Sequence, residues 1–263
     1  METVLNIPST NPPQELYMHV HSVLQPPHSF DPEHEARLRN LSIAGWQDLN
    51  ESLYGDQNRR NYSEPWRIMF RIMSYLGLVH KAVRVQNTRS LPHHLCMGFS
   101  WTLALANNRK IDLEKEAHNR FPGVCPYCGK SPCGTDCHKG ERPIARSEVV
   151  VVGVAPHSLV GFQRMLADVY PHNTPLGSAG HMLEELCEVA QALDHWTGKH
   201  EDLLFERVIS ETVDVIAHIC GTASCHGLDL AAEMAKIFAG GCPRCHKQNC
   251  GCNFTTDVAP SIR

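Results

Sequence analysis

The chain has 263 residues, of which 42% are apolar and 20% charged, and its formal net charge is −4. That length exceeds one average domain, and the composition is that of a globular protein able to bury a sizeable core. A weakly acidic chain has no global attraction for nucleic acid or an anionic membrane, so any polyanion must meet a local site.

Residues 1–31 are rich in Pro, Ser, Asn and Gln and predict a flexible arm. The opening "METVLNIPSTNPPQELYMHV" lacks the charged start and apolar centre of a secretory signal. Helical patterns follow near 33–54, 64–85, 90–106 and 110–121, and end at "CPYCGKSPCGTDC". Residues 139–156 form a connection in which Val149 to Val154 reads as one short strand or a packed extended linker. The run Val149 to Ala155 is the longest apolar one and is too short to cross a bilayer, so no membrane partner and a cytoplasmic location are predicted. A second set of helices is expected at 157–170, 178–197, 200–223 and 227–239, with Asp229 capping the last, before "CPRCHKQNCGC" and a tail at 253–263.

Eight of the twelve cysteines fall in those two clusters, Cys125, Cys128, Cys133 and Cys137 in the first and Cys242, Cys245, Cys250 and Cys252 in the second. Four close thiols opening with C-x-x-C, without a secretory signal, favour tetrahedral zinc over a disulfide framework. Neither cluster leaves an open coordination position, so both zinc ions are read as structural. His138 and His246 lie beside the cysteines and are alternative ligands. The other four cysteines, Cys96, Cys187, Cys220 and Cys225, sit in helical patterns as small apolar residues do.

The clusters end a longer likeness. "IDLEKEAHNRFPGVCPYCGKSPC" at 111–133 matches "LDLAAEMAKIFAGGCPRCHKQNC" at 228–250 without a gap, which implies an internal duplication. The expected architecture is all-α: two tandem four-helix units, residues 32–138 and 157–252, each closed by a four-cysteine zinc knuckle.

On a helical wheel, Met182, Leu186, Val189, Leu193 and Trp196 fall within roughly 40° of one direction. Glu185 and Glu188 lie at about −60° and −120° from Met182, on one shoulder of that stripe, while Glu184 points away. The next helix repeats the arrangement: Leu204, Val208, Val215 and Ile219 make the stripe, with Glu211 and Asp214 at about −60° and −120° from Val208. Arg207 and His218 share the same shoulder. An isolated E-x-x-E is usually a solvated face. Two matched pairs on antiparallel neighbours instead bring four carboxylates together, which repel unless a cation offsets them. Oxygen ligands of this kind suit Mg2+, which commonly bridges carboxylates to phosphates.

"EELCE" at 184–188 followed by "ETVD" at 211–214 resembles the E-E-x-x-E and E-x-x-D signature of the MazG-like, all-α nucleoside triphosphate pyrophosphohydrolases. The likeness extends over roughly 157–239 and implies a magnesium-dependent enzyme that cleaves a nucleotide between its α- and β-phosphates. By motif position Glu185, Glu188, Glu211 and Asp214 hold one or two Mg2+. Lys236 occupies the place of a family lysine near the substrate phosphates, although the polar residues that usually follow it are absent. Arg207 and His218 are further candidates, for stabilising the leaving pyrophosphate and orienting the attacking water. The cysteine knuckles are not part of the ordinary family pattern, which marks a divergent branch.

The first half departs further. "MSYLGLVHKAV" at 73–83 stands where the second half has "LEELCEVAQAL", and the repeat puts His94 and Met97 opposite Glu211 and Asp214. This half reads as a degenerate copy without a carboxylate quartet. Because enzymes of the family are generally oligomers whose subunits complete each other's pockets, it is a candidate built-in partner, and a homo-oligomer is also compatible. Trp66, Phe70, Tyr75, Phe99 and Trp101 are candidates for a base-stacking wall, against the ordinary role of core residues.

Two rival functions remain open. One is a non-catalytic module whose knuckles bind nucleic acid or protein through Lys130, Lys139, Arg142, Arg146, Arg244 and Lys247; the short knuckles, the acidic chain and the lack of aromatic-basic alternation argue against a nucleic-acid partner. The other is phosphoribosyl-ATP pyrophosphohydrolysis, which uses a related bundle and similar acids.

Overall fold

A computed structural model describes residues 31–137 and 155–252. The arm, the segment Val149 to Val154, His138 and the tail fall outside these residues. Among the described residues every regular element is helical: α1 (Pro32–Arg39), α2 (Ile43–Asn61), α3 (Pro65–Arg84), a 3-10 turn at Thr88–Ser90, α4 (Leu91–Arg109), α5 (Leu113–Arg120), α6 (Leu159–Val169), α7 (Pro175–Lys199), α8 (Asp202–Cys225) and α9 (Leu230–Phe238). None of them is long and apolar enough to cross a membrane.

The helix expected over 33–54 is two helices. Ser42 explains the break: its side chain accepts the Gly45 N–H and so opens a new N-terminus at Ile43, while Asn40 closes α1. Ser158 caps α6 the same way through Gly161, and Asp112 and Asp229 cap α5 and α9. Proline in the first turn of α1, α3, α4 and α7 removes a donor that no helical carbonyl would have satisfied.

The two halves do not form two separate four-helix units. The antiparallel hairpins α3–α4 and α7–α8 pack together, α3 on α7 and α4 on α8, into one central bundle with two helices from each half. Their buried side chains belong to a single continuous core. Around this bundle α2 lies on α4 and α6 on α8, whereas the closing helices cross over: α5 packs on α8, and α9 on α4.

The crossing is built twice from equivalent residues. Phe121 packs edge-on against Phe162 and Tyr170 with centroids 6.4 Å away in both cases, and Phe238 meets Trp46 and Tyr54 at 6.5 Å. Gln47 accepts the Leu113 N–H and donates to the Ile111 carbonyl; Gln163 does the same with Leu230 and Leu228. These bonds tie each closing helix to the first long helix of its own half.

The knuckles follow the crossing. Cys133 N–H donates to the Val169 carbonyl at 2.7 Å, and Cys250 N–H to the Leu53 carbonyl at 2.8 Å. Gln57 donates to the Cys252 carbonyl, and the Tyr170 and Tyr54 hydroxyls reach Cys125 and Cys242. Each knuckle thus docks on the opposite half rather than closing its own.

Candidate functional site

The cysteines in each cluster lie with their sulfurs within 4.8 Å of one another. The closest pairs are 3.8 and 3.9 Å in the first cluster and 3.4 to 4.0 Å in the second. Four thiolates about 2.3 Å from one tetrahedral ion stand about 3.8 Å apart, whereas a disulfide needs about 2.05 Å. All eight are free thiols, and both groups could hold zinc. Burial pushes the Cys125 thiol up, but the N–H groups of Tyr127 and Cys128 together with the Cys133 and Tyr170 side chains bring it down to about 7; Lys247 and Gly251 with the Cys252 and Cys242 side chains do the same for Cys245. His246 stands at the turn of the second knuckle, with its N–H on the Cys242 carbonyl.

Between the first knuckle and the α7–α8 hairpin lies a cleft of about 480 Å3. Glu185, Glu188 and Glu211 bring carboxylate oxygens within 4.8 Å of one another on its floor. The local reason is the shoulder position of each acid. Met182, Leu186, Val189 and Leu193 are buried on α7, as are Val208, Val215 and Ile219 on α8, so the acids beside them face one another at the edge of the helix pair. The helices approach closely at Gly221, where a Cβ would stand 2.9 Å from Ser178 Oγ, itself bonded to Thr222. Burial pushes the Glu185 carboxyl up to about 8, reinforced by Asp214, Glu188 and Glu211; burial together with Asp214 and Glu188 raises Glu211 to about 7. Such a group is short of positive charge and is chemically suited to a hard divalent ion.

Asp214 is placed differently from the three glutamates. Both of its oxygens are taken by Arg120, at 3.1 Å to Nε and 2.8 Å to Nη2, in a pair whose side chains are only 20% and 9% exposed. Arg120 ends α5 and therefore comes from the first half. It also donates to the Tyr127 hydroxyl at 3.2 Å. Tyr127 and Pro126 lie between Cys125 and Cys128, so the knuckle itself forms part of the cleft wall.

Of the other candidates, His218 lines the cleft, with Nε2 3.7 Å from Glu185 and its ring stacked on His181 at 5.5 Å. Arg207 is exposed, and close enough to draw the Glu211 carboxyl down. Lys236 is not at the cleft: it pairs with Glu233 at 2.6 Å on α9, which the crossing carries to the first half. None of Trp66, Phe70, Tyr75, Phe99 and Trp101 lines the cleft either; Phe99 and Trp101 are buried in the core, and the aromatic wall consists of Phe121, Tyr127 and Tyr170. Sequence reasoning missed Arg120, Phe121 and Tyr127 because they belong to the half without acids, and Tyr170 because only the crossing brings it to them.

The first half has no carboxylate trio among the described residues. Tyr75, His93 and His94 cluster there, with centroids 5.7 to 6.4 Å apart, and burial lowers His94 to about 4, which keeps it neutral. No family model, no curated protein and no solved structure matches the chain.

Proposed function

We propose that the chain is a Mg2+-dependent nucleotide pyrophosphohydrolase, acting on (d)NTP-type substrates to release a monophosphate and pyrophosphate. The observation that carries the proposal is the convergence of Glu185, Glu188 and Glu211 in a cleft that also holds the Arg120 guanidinium. Three hard oxygen donors fit Mg2+, whose remaining positions suit water and phosphate oxygens. Bound there, the ion would neutralise phosphate charge and acidify an attacking water. Glu185 and His218, 3.7 Å apart, would orient that water and take its proton. Arg207, exposed and close enough to act on Glu211, would meet the leaving pyrophosphate, and the first half would serve as the partner that completes the pocket. The two four-cysteine knuckles take structural zinc, the first holding the cleft wall in place. This resembles the chemistry of the MazG-like enzymes on a rearranged, zinc-stabilised scaffold.

The test is incubation of the zinc-loaded chain and Mg2+ with a panel of (d)NTPs that includes phosphoribosyl-ATP. Paired release of monophosphate and pyrophosphate is expected, and Glu188→Gln should abolish it without changing helicity or zinc content. No turnover of any member, or undiminished turnover in the variant, contradicts the reading.

A further inference from the structure

The Arg120–Asp214 pair is, among the described residues, the ion pair at the cleft made across the two halves, through a nearly buried carboxylate. Asp214 stands outside the set of oxygens that converge within 4.8 Å, Glu185, Glu188 and Glu211, and both its own oxygens accept from Arg120. The guanidinium is correspondingly fixed. Its Nε and Nη2 are held by Asp214, and Nη2 also by Tyr127, while Nη1 makes no hydrogen bond to any described residue and the side chain lines the cleft. A planar fork pinned along one edge presents its remaining N–H groups in a set direction, which is how arginine recognises phosphate with little loss of side-chain freedom.

The internal duplication supplies a second, independent observation. The repeat makes Met97 the counterpart of Asp214 and Ile237 the counterpart of Arg120, and both pack against the core. Where the acidic trio is missing, the carboxylate and the guanidinium are missing together. A pair needed only to join the halves would be wanted at both crossings; a pair needed for a ligand is wanted at one.

We infer that Arg120 is the phosphate-recognising side chain of the cleft and that Asp214 is its positioning residue rather than a metal ligand. The inference rests on the nucleotide reading for its substrate, and assigns a triphosphate or pyrophosphate group to the Nη1 side of Arg120. The ion belongs to Glu185, Glu188 and Glu211 alone.

The test uses the full zinc-loaded chain and two calorimetric titrations, Mn2+ alone, then inorganic pyrophosphate or an α,β-methylene deoxynucleoside triphosphate with Mg2+ present. The variants are Asp214→Asn, Arg120→Lys, and the double change Arg120→Ile with Asp214→Met, which copies the first half and leaves no buried charge unpaired. The double variant should keep Mn2+ affinity within about twofold and bind the phosphate probes at least about tenfold more weakly, the worth of a charge-assisted hydrogen bond. Arg120→Lys should fall between, since it keeps the charge and loses the fork. Asp214→Asn should retain Mn2+, whereas Glu188→Gln loses it. The inference is overturned if the double variant binds the probes like the parent, if the parent binds neither probe, or if Asp214→Asn loses Mn2+ as completely as Glu188→Gln. A parent that hydrolyses no nucleotide yet binds pyrophosphate through Arg120 would refute the enzymatic reading and leave this assignment standing.

Discussion

The two halves share a scaffold and differ in what they carry on it. Ser42 and Ser158, Gln47 and Gln163, and the aromatic crossings at Phe121 and Phe238 perform the same tasks on the two sides. At the positions facing the ends of the crossing, Glu185, Glu188, Glu211, Asp214 and Arg120 on one side meet Tyr75, Leu78, His94, Met97 and Ile237 on the other. The first set is ionisable and opens into a cleft; the second has no carboxylate or guanidinium, and Tyr75, Met97 and Ile237 pack against the core. Helix caps and core contacts are therefore independent of the charged residues, and a half without an acidic trio among the described residues still lends structure and an arginine to the other.

The knuckles bound how alike the halves are, and the largest effect is expected there. Each chain should carry two zinc ions by elemental analysis, and Cys128→Ser or Cys245→Ser should each leave one. A structural zinc site contributes on the order of 10 kcal/mol of binding free energy, so chelation should lower the melting temperature steeply; an unchanged transition would remove both knuckles from the account. Next comes the charged pair. Arg120→Ile alone should cost about 3–5 kcal/mol in urea unfolding by stranding the buried Asp214 charge, and adding Asp214→Met should restore most of it, as Met97 and Ile237 already do on the other side. A double variant no more stable than Arg120→Ile would sever that analogy.

A smaller effect is the pH dependence of the cleft. Glu185 and Glu211 titrate near 8 and 7 in the folded chain, above the ordinary 4.5. Between those values the folded state holds more protons than the unfolded one, so their contribution to stability falls as pH rises. A cation that binds the ionised trio should raise the melting temperature more at pH 8.5 than at pH 5.5. Equal shifts would mean that Mg2+ acts elsewhere. The smallest effect is symmetric: Ser42→Ala and Ser158→Ala should each cost about 1 kcal/mol, and a large inequality would show that the two caps are not equivalent.

Much of this comparison is legible in the chain itself. The thiol spacings, the match between 111–133 and 228–250, the apolar stripes of α7 and α8 and the acids on their shoulders are local patterns; the structure clusters the thiols and buries most of the stripes, and of the four acids it brings Glu185, Glu188 and Glu211 together. The crossing is not local. Periodicity says that α5 and α9 are helices but not which hairpin they cover, and for that reason Lys236 is a poor choice and Arg120 goes unnoticed. One further signal was available: "SIAGWQ" at 42–47 and "SLVGFQ" at 158–163 carry equivalent caps and glutamines, which would have extended the duplication to α2 and α6 and split the helix expected over 33–54.

The central claim is that the second half, and not the first, gathers glutamate oxygens around a divalent ion. Anomalous diffraction at the manganese edge from Mn2+-soaked crystals tests it most directly. The account predicts a peak among Glu185, Glu188 and Glu211, absent in Glu188→Gln, with none near Tyr75 and His94. An empty trio, or a peak that survives the substitution, would contradict it.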